Sequence, residues 1–291
     1  MGLFGKLFDK KECAICGEEI GLLGNRKLED GNMCKKCAAK LSPWFDERRH
    51  STVEQIKEQL AYREENQEKV NRFHVTRSLG KDTKVLLDED ARKFMIASGR
   101  NYKDVNPDVL DYSQITGCDL DINESKEEIR REIRKQDGTT ERISYVPPRY
   151  NYEYDFYIDV HVNAPYFDNM RFRLNDSGVI VEDSIIKGGG MGQTMSQANM
   201  LGTIISSVAQ AAQSSAASSY NSDPRMNNAE YAEYYHMGME IKDAFNKMRE
   251  GIREEISAAN TPKDAVVCPF CGATTVPNEN NCCEYCGAPV N

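Results

Sequence analysis

The placement of the ten cysteines constrains this chain more than any other feature. Four lie between Cys13 and Cys37, five between Cys268 and Cys286, and only Cys118 stands apart. Cys13-Ala14-Ile15-Cys16 and Cys34-Lys35-Lys36-Cys37 are two CxxC pairs with 17 residues between them, a spacing within the range of four-cysteine zinc sites. The two-residue gap lets both sulfurs of a pair converge on one ion, and Gly17 can take the left-handed conformation that closes such a knuckle. The second pair runs into Ala38-Ala39-Lys40-Leu41, which places Cys34 or Cys37 at a helix N-terminus, where the dipole favours thiolate. A hairpin from Glu19 to Met33, turning at Glu29-Asp30-Gly31 and followed by a short helix, makes residues 1–50 a treble-clef-like zinc module. So few, mostly polar residues cannot build a core around four reduced cysteines without a staple.

At the other end, Cys268-Pro269-Phe270-Cys271-Gly272 and Cys283-Glu284-Tyr285-Cys286-Gly287 repeat one pattern, with an aromatic just before the second cysteine of each pair. Two glycine-closed knuckles predict a zinc ribbon over residues 261–291. Cys282 offers a competing CxxxC pair with Cys286. Cys283 is the preferred ligand because only that choice reproduces the CxxCG geometry of the first knuckle. Four thiolates leave no open coordination position, so both Zn2+ ions are expected to be structural, each contributing roughly 10 kcal/mol or more of folding free energy.

Compartment decides whether clustered cysteines mean metal or disulfide. The opening Met1–Lys11 has no continuous apolar run and no small-residue cleavage site, which predicts a cytoplasmic chain whose thiols stay reduced. With a mean hydropathy of -0.64, no run of apolar residues is long enough to cross a bilayer, which excludes an ordinary membrane-spanning helix, and the net charge of -9 argues against a broadly basic nucleic-acid binder.

The middle of the chain changes character twice. Ser51-Thr52-Val53-Glu54 reads as a capping box opening an amphipathic connecting helix over residues 51–72, with Val53, Ile56 and Leu60 on one face. Residues 73–186 follow a period of two. Tyr150, Tyr152, Tyr154, Phe156, Ile158, Val160 and Val162 alternate with polar residues along one long strand, which turns at 163–168 into a partner carrying Met170, Phe172 and Leu174. Further strands are expected over 84–87, 93–97 and 114–122, with 124–138 as a charged excursion. The expected fold class is α+β, its β-rich domain an antiparallel barrel or sandwich. Residues 187–227 are rich in Gly, Ser, Ala and Gln and read as a flexible linker. The glycines 188–190 and 192 fit neither a P-loop nor GxGxxG. Residues 228–260 carry Ile241, Phe245, Met248, Ile252 and Ile256 at helical spacing, a stripe that packs on the β domain or forms a short homodimer seam.

The stretch containing Leu3, Phe4, Leu7, Phe8, Cys13–Gly17, Gly21–Arg26, Leu28–Gly31 and Cys34–Cys37 resembles a bacterial family with an N-terminal four-cysteine zinc-finger domain of unknown function. Val85–Asp88, Asp111–Ile115 and Val162–Tyr166 resemble the pleckstrin-homology-like (PH-like) barrels that often follow that finger, and the tail is similar to generic zinc ribbons. The resemblance implies a zinc module, a PH-like domain and a ribbon, and brings no activity with it.

Function is weighed on the same residues. HExxH, GxSxG and P-loop motifs are absent, and His50, His74, His161 and His236 are scattered, so no enzyme is expected. His161 is assigned to a polar strand face and Cys118 to a buried one. Two zinc modules flanking a β domain suit an adaptor or scaffold that engages a protein partner. A first alternative is a protein peripheral to the inner face of the membrane, held by a short basic amphipathic segment of Leu3, Phe4, Leu7 and Phe8 with Lys6, Lys10 and Lys11. A second is nucleic-acid binding, which is disfavoured because residues 1–50 carry 10 basic against 8 acidic side chains and the tail is net acidic.

Overall fold

The computed structural model describes residues 11–99, 101–182, 186, 223–260, 265–278 and 280–290. The expected N-terminal amphipathic segment and most of the expected linker lie outside these residues. The chain forms two compact units, one ending at Asn246 and the other beginning at Lys247, so the boundary falls within the last helix.

The first unit opens with a two-stranded ladder, β1 (Lys11–Glu12) on β2 (Glu19–Ile20), and a second hairpin, β3 (Asn25–Lys27) on β4 (Asn32–Cys34). Helix α1 (Lys35–Ala38) follows directly. The hairpin is shorter than the expected 19–33, because Glu19 and Ile20 pair with Lys11 and Glu12 instead, while the short helix follows it as expected. Leu28, Met33, Leu41 and Ile56 fill the core of this module, with Val53 and Leu60 packed against it. Three of these residues belong to α2 (Val53–Arg72), so the first half of the helix is part of the module rather than a connector. Gly31 lets the hairpin turn approach α2, since a Cβ there would stand 2.7 Å from Val53 Cγ2. The capping box sits one residue later than expected. Thr52 is the N-cap, its Oγ1 accepting from Gln55 N at 3.3 Å while Gln55 Oε1 accepts from Thr52 N at 2.9 Å. Ser51 instead donates to the Glu47 carbonyl.

Of the expected barrel or sandwich, the closed barrel is not formed: the strands make two separate four-stranded antiparallel sheets. The first runs β5 (Arg77–Gly80), β6 (Thr83–Asp88), β7 (Lys93–Ser98), β8 (Leu110–Asp111). Its central strands read as continuous apolar runs because both faces are covered. Leu86, Met95 and Ala97 meet Val70 and Phe73 at the C-terminal end of α2. On the other face Phe94 packs edge-on against Phe245 of α3 (Ala229–Asn260), with ring centroids 5.1 Å apart.

The second sheet is organised by β10 (Thr140–Val162). It pairs with β9 (Ile115–Arg134) along one edge, and with β11 (Asn169–Arg173) and β12 (Val179–Glu182) on the other. The alternation read from the sequence is the buried face: Tyr154, Phe156, Ile158 and Val160 are fully buried. Tyr231 of α3 lies on Tyr154 and Phe156, at 5.0 and 5.1 Å between centroids. The expected charged excursion is instead β-structure. Residues 128–134 and 140–150 pair only with each other as a two-stranded ribbon, broken by a bulge between Ser144 and Arg149. Opposed charges carry the ribbon in place of apolar pairs, including Arg142 with Glu132 at 2.9 Å and Lys135 with Glu141 at 2.8 Å.

In α3 the apolar stripe divides. Ile241 and Phe245 are fully buried in the first unit, while in the second Met248 and Ile252 are half-buried and Ile256 is exposed. The second unit continues through two short strands, β13 (Val266–Val267) and β14 (Thr274–Thr275), which pair antiparallel.

Candidate metal centres

Each knuckle is built by the same local bonds. In the first, Cys13 N donates to Glu18 O at 2.9 Å and Gly17 N to Cys13 O at 2.8 Å, with Gly17 at φ +72°. In the other two, Cys268 N donates to Ala273 O and Cys283 N to Ala288 O, both at 2.8 Å, with Gly272 and Gly287 again at φ +72°. A positive φ at that corner is why glycine follows the second cysteine in all three. The fourth pair uses a helix instead. Cys34 is the N-cap of α1, its Sγ accepting from Cys37 N at 3.4 Å, and Cys13 Sγ accepts from Cys34 N at 3.2 Å.

These elements bring Cys13, Cys16, Cys34 and Cys37 together in one cluster and Cys268, Cys271, Cys283 and Cys286 in another, all sulfurs of a cluster within 4.8 Å of one another. Cys16 Sγ lies 3.8 Å from Cys34 Sγ, Cys268 Sγ 3.6 Å from Cys286 Sγ, and Cys271 Sγ 3.7 Å from Cys283 Sγ. Four sulfurs at the corners of a tetrahedron with metal–sulfur bonds of about 2.3 Å stand about 3.8 Å apart, so both clusters have the size of a tetrahedral ion's shell. The spacing is far too long for disulfides, and all ten thiols are free. Each cluster can therefore hold a metal ion.

The electrostatics of the thiols point the same way. Burial pushes the Cys13 thiol up, but the backbone N–H groups of Cys16, Cys34 and Ile15 outweigh it and bring the value down to about 6. At Cys283 burial is likewise opposed by the N–H groups of Cys286 and Tyr285, again giving about 6. Burial and the neighbouring sulfurs push Cys37 up. Hydrogen bonding with the other thiols of its cluster carries Cys286 up to about 12 against the Ala288 backbone N–H. Without a cation, thiolates this close cannot all ionise; a divalent ion removes that penalty.

The two remaining cysteines are excluded by position. Cys282 is outside the second cluster, its Sγ donating to Asn280 O at 3.5 Å, and its backbone bridges Pro289. Cys118 is buried within β9, and burial pushes its thiol up to about 12. His161 lies on the polar face of β10, 3.5 Å from Asp119.

A buried charge network next to the first centre has no counterpart in the sequence reading. Arg63 of α2 donates through Nη1 to Asp108 Oδ1 at 2.7 Å and through Nε to Lys40 O at 3.2 Å, and Ser42 Oγ donates to Asp108 Oδ2 at 2.8 Å. The Arg63 and Asp108 side chains are 5% and 0% exposed. Asn66 adds bonds to Asn106 Oδ1, Pro107 O and Val109 N. The network ties the metal module, through Lys40 and Ser42, to the loop entering β8. Its members are 45 and 66 positions apart in the chain, which no spacing rule connects.

No helix among the described residues is long and apolar enough to cross a membrane. No curated protein and no solved structure matches the chain. Residues 11–59, which span the first cysteine cluster and the start of α2, match the family model described as a domain of unknown function (DUF4428).

Proposed function

We propose that the protein is a non-enzymatic zinc-binding adaptor, whose two metal-stapled modules and PH-like β region present docking surfaces to a protein partner. The observation that carries this reading is the pair of closed four-cysteine clusters, one in each unit. Thiolate-only ligand sets at tetrahedral spacing favour zinc over the hard cations, which take oxygen ligands. A full set of four sulfurs leaves no place for a substrate or an activated water, which is the arrangement of an ion that holds a fold rather than one that reacts. The test is affinity purification of the full chain from its native host, coupled to mass spectrometry and repeated with the Cys13→Ser/Cys16→Ser variant. The adaptor reading expects a stoichiometric partner that is lost with the first metal module. Recovery of no partner by the wild-type chain counts against it.

A further inference from the structure

The first metal module carries an anomaly at the tip between β2 and β3. Gly24 N donates to Gly21 O at 2.9 Å, closing a four-residue turn whose two corner positions are Leu22 and Leu23. Turn corners ordinarily carry Gly, Pro, Asn, Asp or Ser. Here two adjacent leucines are 85% and 88% exposed, although the module has an apolar core a few residues away.

Beside the turn lies a cavity of about 340 Å³ whose lining includes Arg26, Lys35 and Arg48 over Ala38, Leu41 and Phe45. Arg26 reaches back to the turn itself, donating to Leu23 O at 3.5 Å and Asn25 O at 3.2 Å, and Arg48 donates to Lys27 O at 2.6 Å. These cations thus meet backbone carbonyls. Of the nearby carboxylates, Glu18 pairs with Lys36 and Glu47 with His50. Burial, and after it repulsion from Arg49 and Arg26, lower the Arg48 proton affinity.

We propose that the Gly21–Gly24 turn and the Arg26, Lys35 and Arg48 cluster dock this module on an anionic lipid bilayer, with Leu22 and Leu23 inserting at the acyl boundary and the cations meeting lipid phosphates. An exposed apolar tip with Arg26 bonded to it, and Arg26 sharing a cavity wall with Lys35 and Arg48, matches the two layers of such a surface, apolar within and anionic at the headgroups. This surface is distinct from the segment before Lys11, and it goes beyond the adaptor reading.

The test is co-sedimentation of the zinc-loaded full chain with vesicles of pure phosphatidylcholine or of phosphatidylcholine with phosphatidylglycerol in a ratio of roughly 70:30, at low and high salt. Binding to the anionic vesicles alone, weakened by salt, is expected. Leu22→Ser/Leu23→Ser should weaken it by at least about tenfold, since each buried leucine is worth on the order of tenfold. Arg26→Ala/Arg48→Ala should weaken it by roughly 10- to 30-fold, at about fivefold per cation. A chain lacking residues 2–10 should still bind. Metal content read on the same preparations shows that each variant keeps its module, and the lipid and salt dependence of the wild type needs no variant. Failure of the wild-type chain to bind anionic vesicles overturns the proposal. So does undiminished binding by the leucine variant, or loss of binding on deletion of residues 2–10. Self-association that disappears in the leucine variant without any vesicle binding would assign the turn to a second copy of the chain instead.

Discussion

Replacing Asp108 by alanine should destabilise the first unit by about 3–5 kcal/mol, the cost of leaving one member of a buried ion pair without its partner. The size follows from the surroundings of Arg63. Its guanidinium is almost wholly buried, and without Asp108 it keeps only the carbonyls of Lys40 and Asn106, while the Ser42 hydroxyl loses its acceptor. That cost measures the orphaned charge and not the net worth of the pair, because burial holds the Asp108 carboxyl above the usual carboxylate range despite Arg63. A group raised in the folded state contributes most in acid, and its contribution is lost as the pH rises through the raised value. Asp108→Ala should remove that dependence. Arg63→Met/Asp108→Leu, which removes both charges, should recover about half the loss or more. The assay is urea unfolding in the presence of zinc, followed by the fluorescence of Trp44, the only tryptophan, whose backbone N–H donates to Ser42 Oγ at 3.2 Å. Ser42→Ala is the control, at about 1 kcal/mol. A loss of less than about 1 kcal/mol for Asp108→Ala would refute the assignment of this network as the tie between metal module and sheet.

Other outcomes follow from the cysteine geometry and from packing. Cys283→Ser should lose one metal ion per chain while Cys282→Ser keeps both, as read by metal analysis after gel filtration. In the metal-loaded native protein iodoacetamide should label Cys282 and spare Cys118, which mass spectrometry of tryptic peptides will locate. Metal affinity should fall as the pH is lowered, steeply below about 6, because Cys13 and Cys283 then lose their thiolates and the raised thiols of Cys16, Cys37, Cys271 and Cys286 already compete as acids; titration against a chromophoric chelator at several pH values tests this. Gly238→Ala should cost at most about 2 kcal/mol in the same urea assay, since its Cβ would stand 2.5 Å from Leu120 Cδ1 and force that half-buried side chain to shift, a cost offset in part by the roughly 1 kcal/mol helix preference of alanine over glycine.

The parts legible in the sequence are those written at short range. CxxC spacing with a following glycine specifies a knuckle locally, so both clusters could be assembled on paper, and the glycine rule chose Cys283 over Cys282 as the sulfur that joins the cluster. The period of two through Tyr154 to Val160 located a half-buried strand, and the stripe at Ile241 and Phe245 a buried helix face. What stayed hidden depends on partners distant in sequence. The ribbon of 128–134 and 140–150 shows little apolar alternation, because its strands are matched by charge, and charge matching is visible only once Glu132 faces Arg142. The strand pattern left barrel and sandwich open, because it does not reveal that α2 and α3 cover the faces of the first sheet. The tie through Arg63 and the bare leucines at 22 and 23 are both local violations of ordinary preference, a buried cation and an apolar turn, and only the folded chain shows which of them is compensated.

The most direct test of the central reading is the metal content of the full chain purified without added metal or chelator, by inductively coupled plasma mass spectrometry alongside quantitative amino-acid analysis. Two zinc ions per chain are expected, falling to one in Cys13→Ser/Cys16→Ser and to one in Cys268→Ser/Cys271→Ser. Clearly fewer than two ions in the wild type, or a metal other than zinc filling both clusters, would contradict it.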